Sequence, residues 1–200
     1  FTSAETRAFL REVMGLPLDD DDVSHLEART EGWAAGLQLA ALALQQSPAT
    51  SDREAQKHFI ARFSASHQYV LDFLTTEVLA QLPEESQQFL LQTSILKQLS
   101  GPLCQAVTGR PHSAELLSTL VRKNLFLVPL DTEGLWFRFH HLFAEMLQMR
   151  LERLGTDAIA TLHLRSAHWY ERAGRVDDSL YHALQAGAME YAVDVILANW

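Results

Sequence analysis

Helical spacing runs through most of this 200-residue chain and gives way between Leu125 and Phe139. There, two short β-prone runs, Leu125-Phe-Leu-Val-Pro-Leu130 and Leu135-Trp-Phe-Arg-Phe139, flank Asp131-Thr-Glu-Gly134, which reads as a four-residue hairpin turn. Ahead of it, Phe89, Leu90, Leu91 and Ile95 mark one helix, and Ser100-Gly-Pro and Ser113-Ala-Glu open two short ones. Pro102 falls in a first turn, where a missing N–H costs nothing. Behind it, a helix is expected from about His140 to Leu154. Three helices, a hairpin and a closing helix is the element order of a winged helix, a helix-turn-helix variant.

The rest of the chain is expected to be mainly α. Leucine and alanine dominate an apolar share of 48%, and only nine glycines and six prolines interrupt it. Sixteen Lys and Arg against 25 Asp and Glu give a net charge of -9, which repels nucleic-acid phosphates and anionic membrane surfaces. The single Cys104 excludes an internal disulfide framework and a cysteine-based zinc site; it reads as a buried small hydrophobe in a reducing cytosol. No signal-peptide pattern opens the chain, and the longest apolar stretch, Trp33 to Leu44, is too short to span a bilayer. A cytoplasmic protein without a membrane partner is therefore expected. The start at Phe1 and the end at Trp200 within a helical pattern read as cut ends, so a longer parent is expected as well.

Phe9, Leu10 and Val13 place a first helix before Gly15-Leu-Pro17. The four carboxylates Asp19 to Asp22 read as a helix start, where the dipole favours negative charge, in preference to a metal site. Thr30 is expected to N-cap a long apolar helix through Gln45, and Ser47 to Asp52 to form a linker. Phe59 to Leu82 carries one or two amphipathic helices closed by Pro83. From Ala158, short helices broken by Gly174 and Gly187, with Ala167, Ser179, Ala183 and Ala186 at packing positions, resemble a tetratricopeptide-type unit, the first step of a solenoid. The expected organisation is a helical arm or lid segment over 1–50, a winged helix over 51–155 and an incomplete helical repeat over 156–200.

Three strings go beyond pattern: Thr30-Glu-Gly-Trp-Ala-Ala-Gly-Leu-Gln-Leu-Ala40, Ser94-Ile-Leu-Lys-Gln-Leu-Ser-Gly-Pro-Leu-Cys104, and Asn124-Leu-Phe-Leu-Val-Pro-Leu-Asp131 with Trp136-Phe-Arg-Phe-His-His-Leu-Phe143. Together they resemble the central region of the MalT-like, ATP-dependent LuxR-family transcription regulators. The resemblance implies an upstream P-loop ATPase domain of the STAND class, a helical arm, a winged helix, a helical-repeat sensor and a C-terminal LuxR-type DNA-binding module. The chain itself has no Gly-x-x-x-x-Gly-Lys-Ser/Thr, so it is expected to be non-catalytic and to hold no cofactor, with ATP or ADP belonging to the full-length protein.

The same resemblance singles out His140. Related NB-ARC proteins have a Met-His-Asp string at this point, whose histidine touches the bound diphosphate; His140 falls on that histidine and His141 on the aspartate. A helix N-terminus with free N–H groups suits a phosphate contact. The alternative is a histidine packing the wing beside Trp136, whereas a metal pair with His141 is disfavoured because adjacent side chains on a helix diverge. Gly36 and Gln38 lie in the string matching the NB-ARC Gly-Leu-Pro-Leu-Ala, whose proline packs on adenine; Gln38 replaces that proline. Gly36 either approaches a base or, with Gly32, lets the helix pack tightly. His163 and His168, or His58 and His67, form no metal-ligand spacing and read as surface or half-buried residues.

Three functions compete at this point. The first is a regulatory segment coupling nucleotide state to a repeat that senses a small-molecule or protein effector, with partners in the ATPase domain and downstream repeats of the same chain and with DNA contacted only through the C-terminal module. A helical-repeat adaptor is the second. A winged-helix DNA binder is the third, and it has poor electrostatics: Arg122 and Lys123 face Glu115, Asp131 and Glu133.

Overall fold

The computed structural model describes residues 1–46, 53–63, 68–123 and 125–199. The expected linker over Ser47 to Asp52, and His67, lie outside the described residues. The chain divides into two compact units: Phe1–Gln81 with His140–Met146, and Leu82–Phe139 with Leu147–Trp200.

In the first unit, α1 (Ser3–Ala8) starts with a capping box between Thr2 and Glu5 and runs on as a π-helical turn over Phe9–Val13. Helix α2 (Asp20–Thr30) opens as the acidic run predicts. The Asp19 side chain accepts from the Asp22 N–H at 2.8 Å, and that of Asp22 accepts in return from the Asp19 N–H. Arg53, on α4 (Arg53–Arg62), pairs with both carboxylates, at 2.7 Å from the buried Asp22. Helices α3 (Ala34–Gln46) and α5 (Gln68–Phe73), the latter extended by a π segment over Leu74–Leu79, complete the set. Leu10, Leu26, Leu37, Leu44, Ile60, Leu74 and Phe143 form its fully buried core.

Thr30 does not cap the following helix. It is the last residue of α2, buried, with its hydroxyl donating back to the Leu26 carbonyl at 2.8 Å. The chain then reverses through two left-handed residues, Glu31 (φ 49°) and Gly32 (φ 70°), and α3 begins at Ala34. A left-handed pair of this kind terminates a helix, and Thr30 serves its C-terminal end.

In the second unit, α6 (Glu84–Thr93), α7 (Gly101–Thr108) and α8 (Ser113–Arg122) precede a hairpin of β1 (Leu127–Pro129) and β2 (Phe137–Phe139), in register Leu127 to Phe139. Ser100 caps α7, and Pro102 lies in its first turn, as expected. The connection is longer than four residues. Leu130 N–H bonds Trp136 O, and the Asp131 carboxylate accepts from the N–H groups of Leu135 and Trp136, so Asp131–Gly134 forms only the tip. The other edge of β2 is paired too: Leu99 and Phe137 exchange both backbone bonds, at 2.7 and 2.9 Å. Pro129, which lacks a donor, accordingly sits in an edge strand.

Helix α9 (His141–Leu151), with a 3₁₀ turn over Glu152–Leu154, follows the hairpin. Three helices end the chain: α10 (Thr156–Arg172), α11 (Val176–Gln185) and α12 (Met189–Asn199), turning at Gly174 and Gly187. Small residues mediate their packing as predicted. Ala167, Ala183 and Ala192 form one buried cluster, and the Ser179 hydroxyl donates to the Ala167 carbonyl at 2.9 Å. Ala186 is only half-buried, and Ala192 takes the place expected for it. Cys104 is fully buried on α7, and burial pushes its thiol up to about 12. Among the described residues, no helix is long and apolar enough to cross a membrane.

Candidate functional site at the start of α9

The His140 carbonyl accepts from Ala144 N–H at 2.9 Å, which makes His140 the residue that opens α9. Its side chain, 6% exposed, turns to the end of α2, 110 residues away in sequence, where Nε2 meets the Thr30 carbonyl at 2.7 Å. A carbonyl only accepts, so Nε2 carries a proton and the lone pair of the neutral ring belongs to Nδ1. The ring stands edge-on to the Trp33 indole, 6.0 Å between centroids.

Glu31 completes the arrangement. Its carboxylate accepts from His141 Nδ1 at 2.8 Å and from the His141 backbone N–H at 3.4 Å, and so places an anion at the positive end of α9. The His140 and His141 rings are nearly parallel, at 14°, with centroids 5.0 Å apart. The argument that neighbours on a helix diverge does not apply to this pair, because His140 precedes the first helical residue.

Of the two remaining predicted residues, Gly36 packs on Trp33. A Cβ built on Gly36 would lie 2.4 Å from Cε3 of that indole, so the face of Gly36 is filled by Trp33, whose ring also meets Phe73 at 5.9 Å. Trp33 thereby joins Gly36 to His140. Gln38 is exposed, about 200° further round α3 from the buried Gly36. The sequence reading missed Thr30 and Trp33 as partners of His140 and Glu31 as the partner of His141. The signal for them was the Thr-Glu-Gly-Trp string itself, read there as a helix start when it is a helix end.

A second histidine cluster lies in the other unit. His163 on α10 and His182 on α11 are 7% and 2% exposed, and their Nδ1 atoms are 2.8 Å apart. One Nδ1 must donate and the other accept, so the pair shares a single proton at that contact. Tyr170 stacks on His182 at 5.4 Å. Burial, reinforced by His163, lowers His182 to about 4, and burial lowers His163 as well. The expectation that the histidines sit on the surface or half-buried fails for these two, since the partner is on the next helix and not at any local spacing.

Residues 75–159 match the model of the MalT winged helix domain. Over 199 residues, the whole chain, it is 32% identical to the HTH-type transcriptional regulator MalT of Yersinia enterocolitica, covering 22% of that protein. Over 197 residues, 98% of the chain, it is 32% identical to MalT of Klebsiella pneumoniae, covering 21%. It is also 34% identical, over 98% of its length, to 17% of the serine/threonine-protein kinase PknK of Mycobacterium tuberculosis. The chain spans about a fifth of the length of these relatives.

Proposed function

We propose that this chain, whose residues 75–159 match the MalT winged helix domain, is a MalT-like region of a transcriptional regulator and carries nucleotide state from an upstream P-loop ATPase domain to a helical-repeat sensor. The observation that supports this most is the His140 to Thr30 bond, because it ties the helix after the wing to the arm helices through a buried polar contact. The start of α9 already holds an anion, the Glu31 carboxylate, and a nucleoside diphosphate takes that seat, with the first N–H groups of α9 as donors and His140 joining them through an Nδ1 that takes up a proton beside the phosphate while its Nε2–H stays on Thr30. On the arm, Gln38 is the residue left open to an adenine, since Trp33 fills the face of Gly36. ADP then favours the His140 to Thr30 contact and ATP its opening, and that differential contact is the switch.

In the same proposal α10 to α12 are the first tetratricopeptide-like unit of the sensor for a small-molecule or protein effector. DNA is contacted through a separate LuxR-type C-terminal module, and the protein works in the cytoplasm. This segment performs no catalysis itself.

Removing the imidazole tests the proposal. In the full-length parent, His140→Ala is expected to speed ADP release roughly tenfold or more, the worth of one charge-assisted hydrogen bond, and to raise transcription without effector. ADP release and basal transcription both equal to wild type would remove His140 from the switch.

A further inference from the structure

The side chains that close the first unit also form a donor set for a transition-metal ion. Glu31, His140 and His141 each offer one ligand atom, and these atoms all lie within 4.8 Å of one another. We propose that they form a zinc site, with one carboxylate oxygen and one nitrogen from each histidine as ligands. This does not rest on the nucleotide reading.

Four features carry the inference. Two imidazoles and a carboxylate favour zinc over calcium or magnesium, which take oxygen ligands. The distances are of the right order: tetrahedral zinc with bonds of about 2.0–2.1 Å holds its ligands about 3.3 Å apart. One pair here, His141 Nδ1 and Glu31 Oε1, is at 2.8 Å and the rest lie within 4.8 Å, so small side-chain rotations bring the set to the ion. His140 has the outer bond that metal-bound histidines use for orientation, its Nε2–H on the Thr30 carbonyl. Finally, Glu31 is held at φ 49°, a conformation costly for a residue with a Cβ, and such strain gathers at sites that bind.

Zinc in this place replaces the proton between His141 and Glu31, and its single carboxylate leaves a net positive site with a fourth position for water. It staples the end of α2 to the start of α9, so binding stabilises the first unit.

The test titrates the EDTA-dialysed 200-residue chain with Zn²⁺ by calorimetry and with Co²⁺ by its visible absorption, which reports tetrahedral ligation. One ion per chain is expected, with affinity falling at least tenfold in both His141→Ala and Glu31→Gln and unchanged in His168→Ala, a control at an exposed histidine. Circular dichroism of each variant checks that it is folded, and Glu31→Gln, nearly the same size, keeps the test decisive if His141→Ala is not. Absence of stoichiometric binding, equal binding by Glu31→Gln, or a loss shared by His168→Ala would overturn the site. The titration contains no nucleotide, so failure here leaves the switch untouched, and failure of the switch leaves this site standing.

Discussion

Lowering the pH from 7 to 5 is expected to remove roughly 2 kcal/mol of stability through His182 alone, and roughly 3 kcal/mol by pH 4. The sign follows from burial. In the unfolded chain His182 takes up its proton near the ordinary 6.5, whereas in the fold it does so only at about 4, so between those values the unfolded state binds more protons. Stability is therefore complete above about 6.5 and is lost as pH falls toward 4. Asp178 nearby opposes the effect, while His163 and Lys97 add to it, and the rings of Tyr170 and Tyr181 enclose the imidazole. His163 contributes in the same direction. Urea midpoints between pH 7 and 5 measure this where few carboxylates titrate. His182→Asn keeps a polar group near Nδ1 without a titrating ring and should flatten the profile; parallel profiles for wild type and variant would contradict the shared-proton pair.

Phe143→Ala should cost more, about 3–5 kcal/mol, because a fully buried aromatic is replaced by a cavity. Phe143 lies one turn beyond His140 on α9 and sits in the core of the first unit, so its ring anchors the start of that helix. Thermal melts should show the loss in that variant and only a small change in Phe1→Ala, whose ring is half exposed. A loss below about 1 kcal/mol in Phe143→Ala would mean that the start of α9 is held by its polar contacts and not by packing.

The hairpin was legible because helical spacing gives way there to two β-prone runs around a turn, and its element order then named the fold class. Its second pairing was not. Leu99 contributes one bridging residue, which leaves no alternation to read. The acidic run was legible because capping is local, with Asp19 and Asp22 three apart. Thr30 failed for a related reason: a threonine hydroxyl serves either a helix start or the carbonyl four residues back, and only the left-handed Glu31 and Gly32 beyond it decide. His140 was reached through resemblance and the helix opening, yet its partner is 110 residues away, beyond any local rule. The His163 to His182 pair was hidden similarly, its members nineteen residues apart on consecutive helices. What stayed unreadable was in each case a polar contact between segments, which periodicity does not encode.

The central claim is that the end of α2 and the start of α9 respond together to nucleotide. Hydrogen exchange of residues 26–40 and 140–147 in the full-length parent, with ADP and then with ATP, tests it most directly. Both segments should exchange slowly with ADP and faster with ATP, and His140→Ala should abolish the difference. Equal exchange in the two nucleotides, or a response in one segment without the other, would contradict the claim.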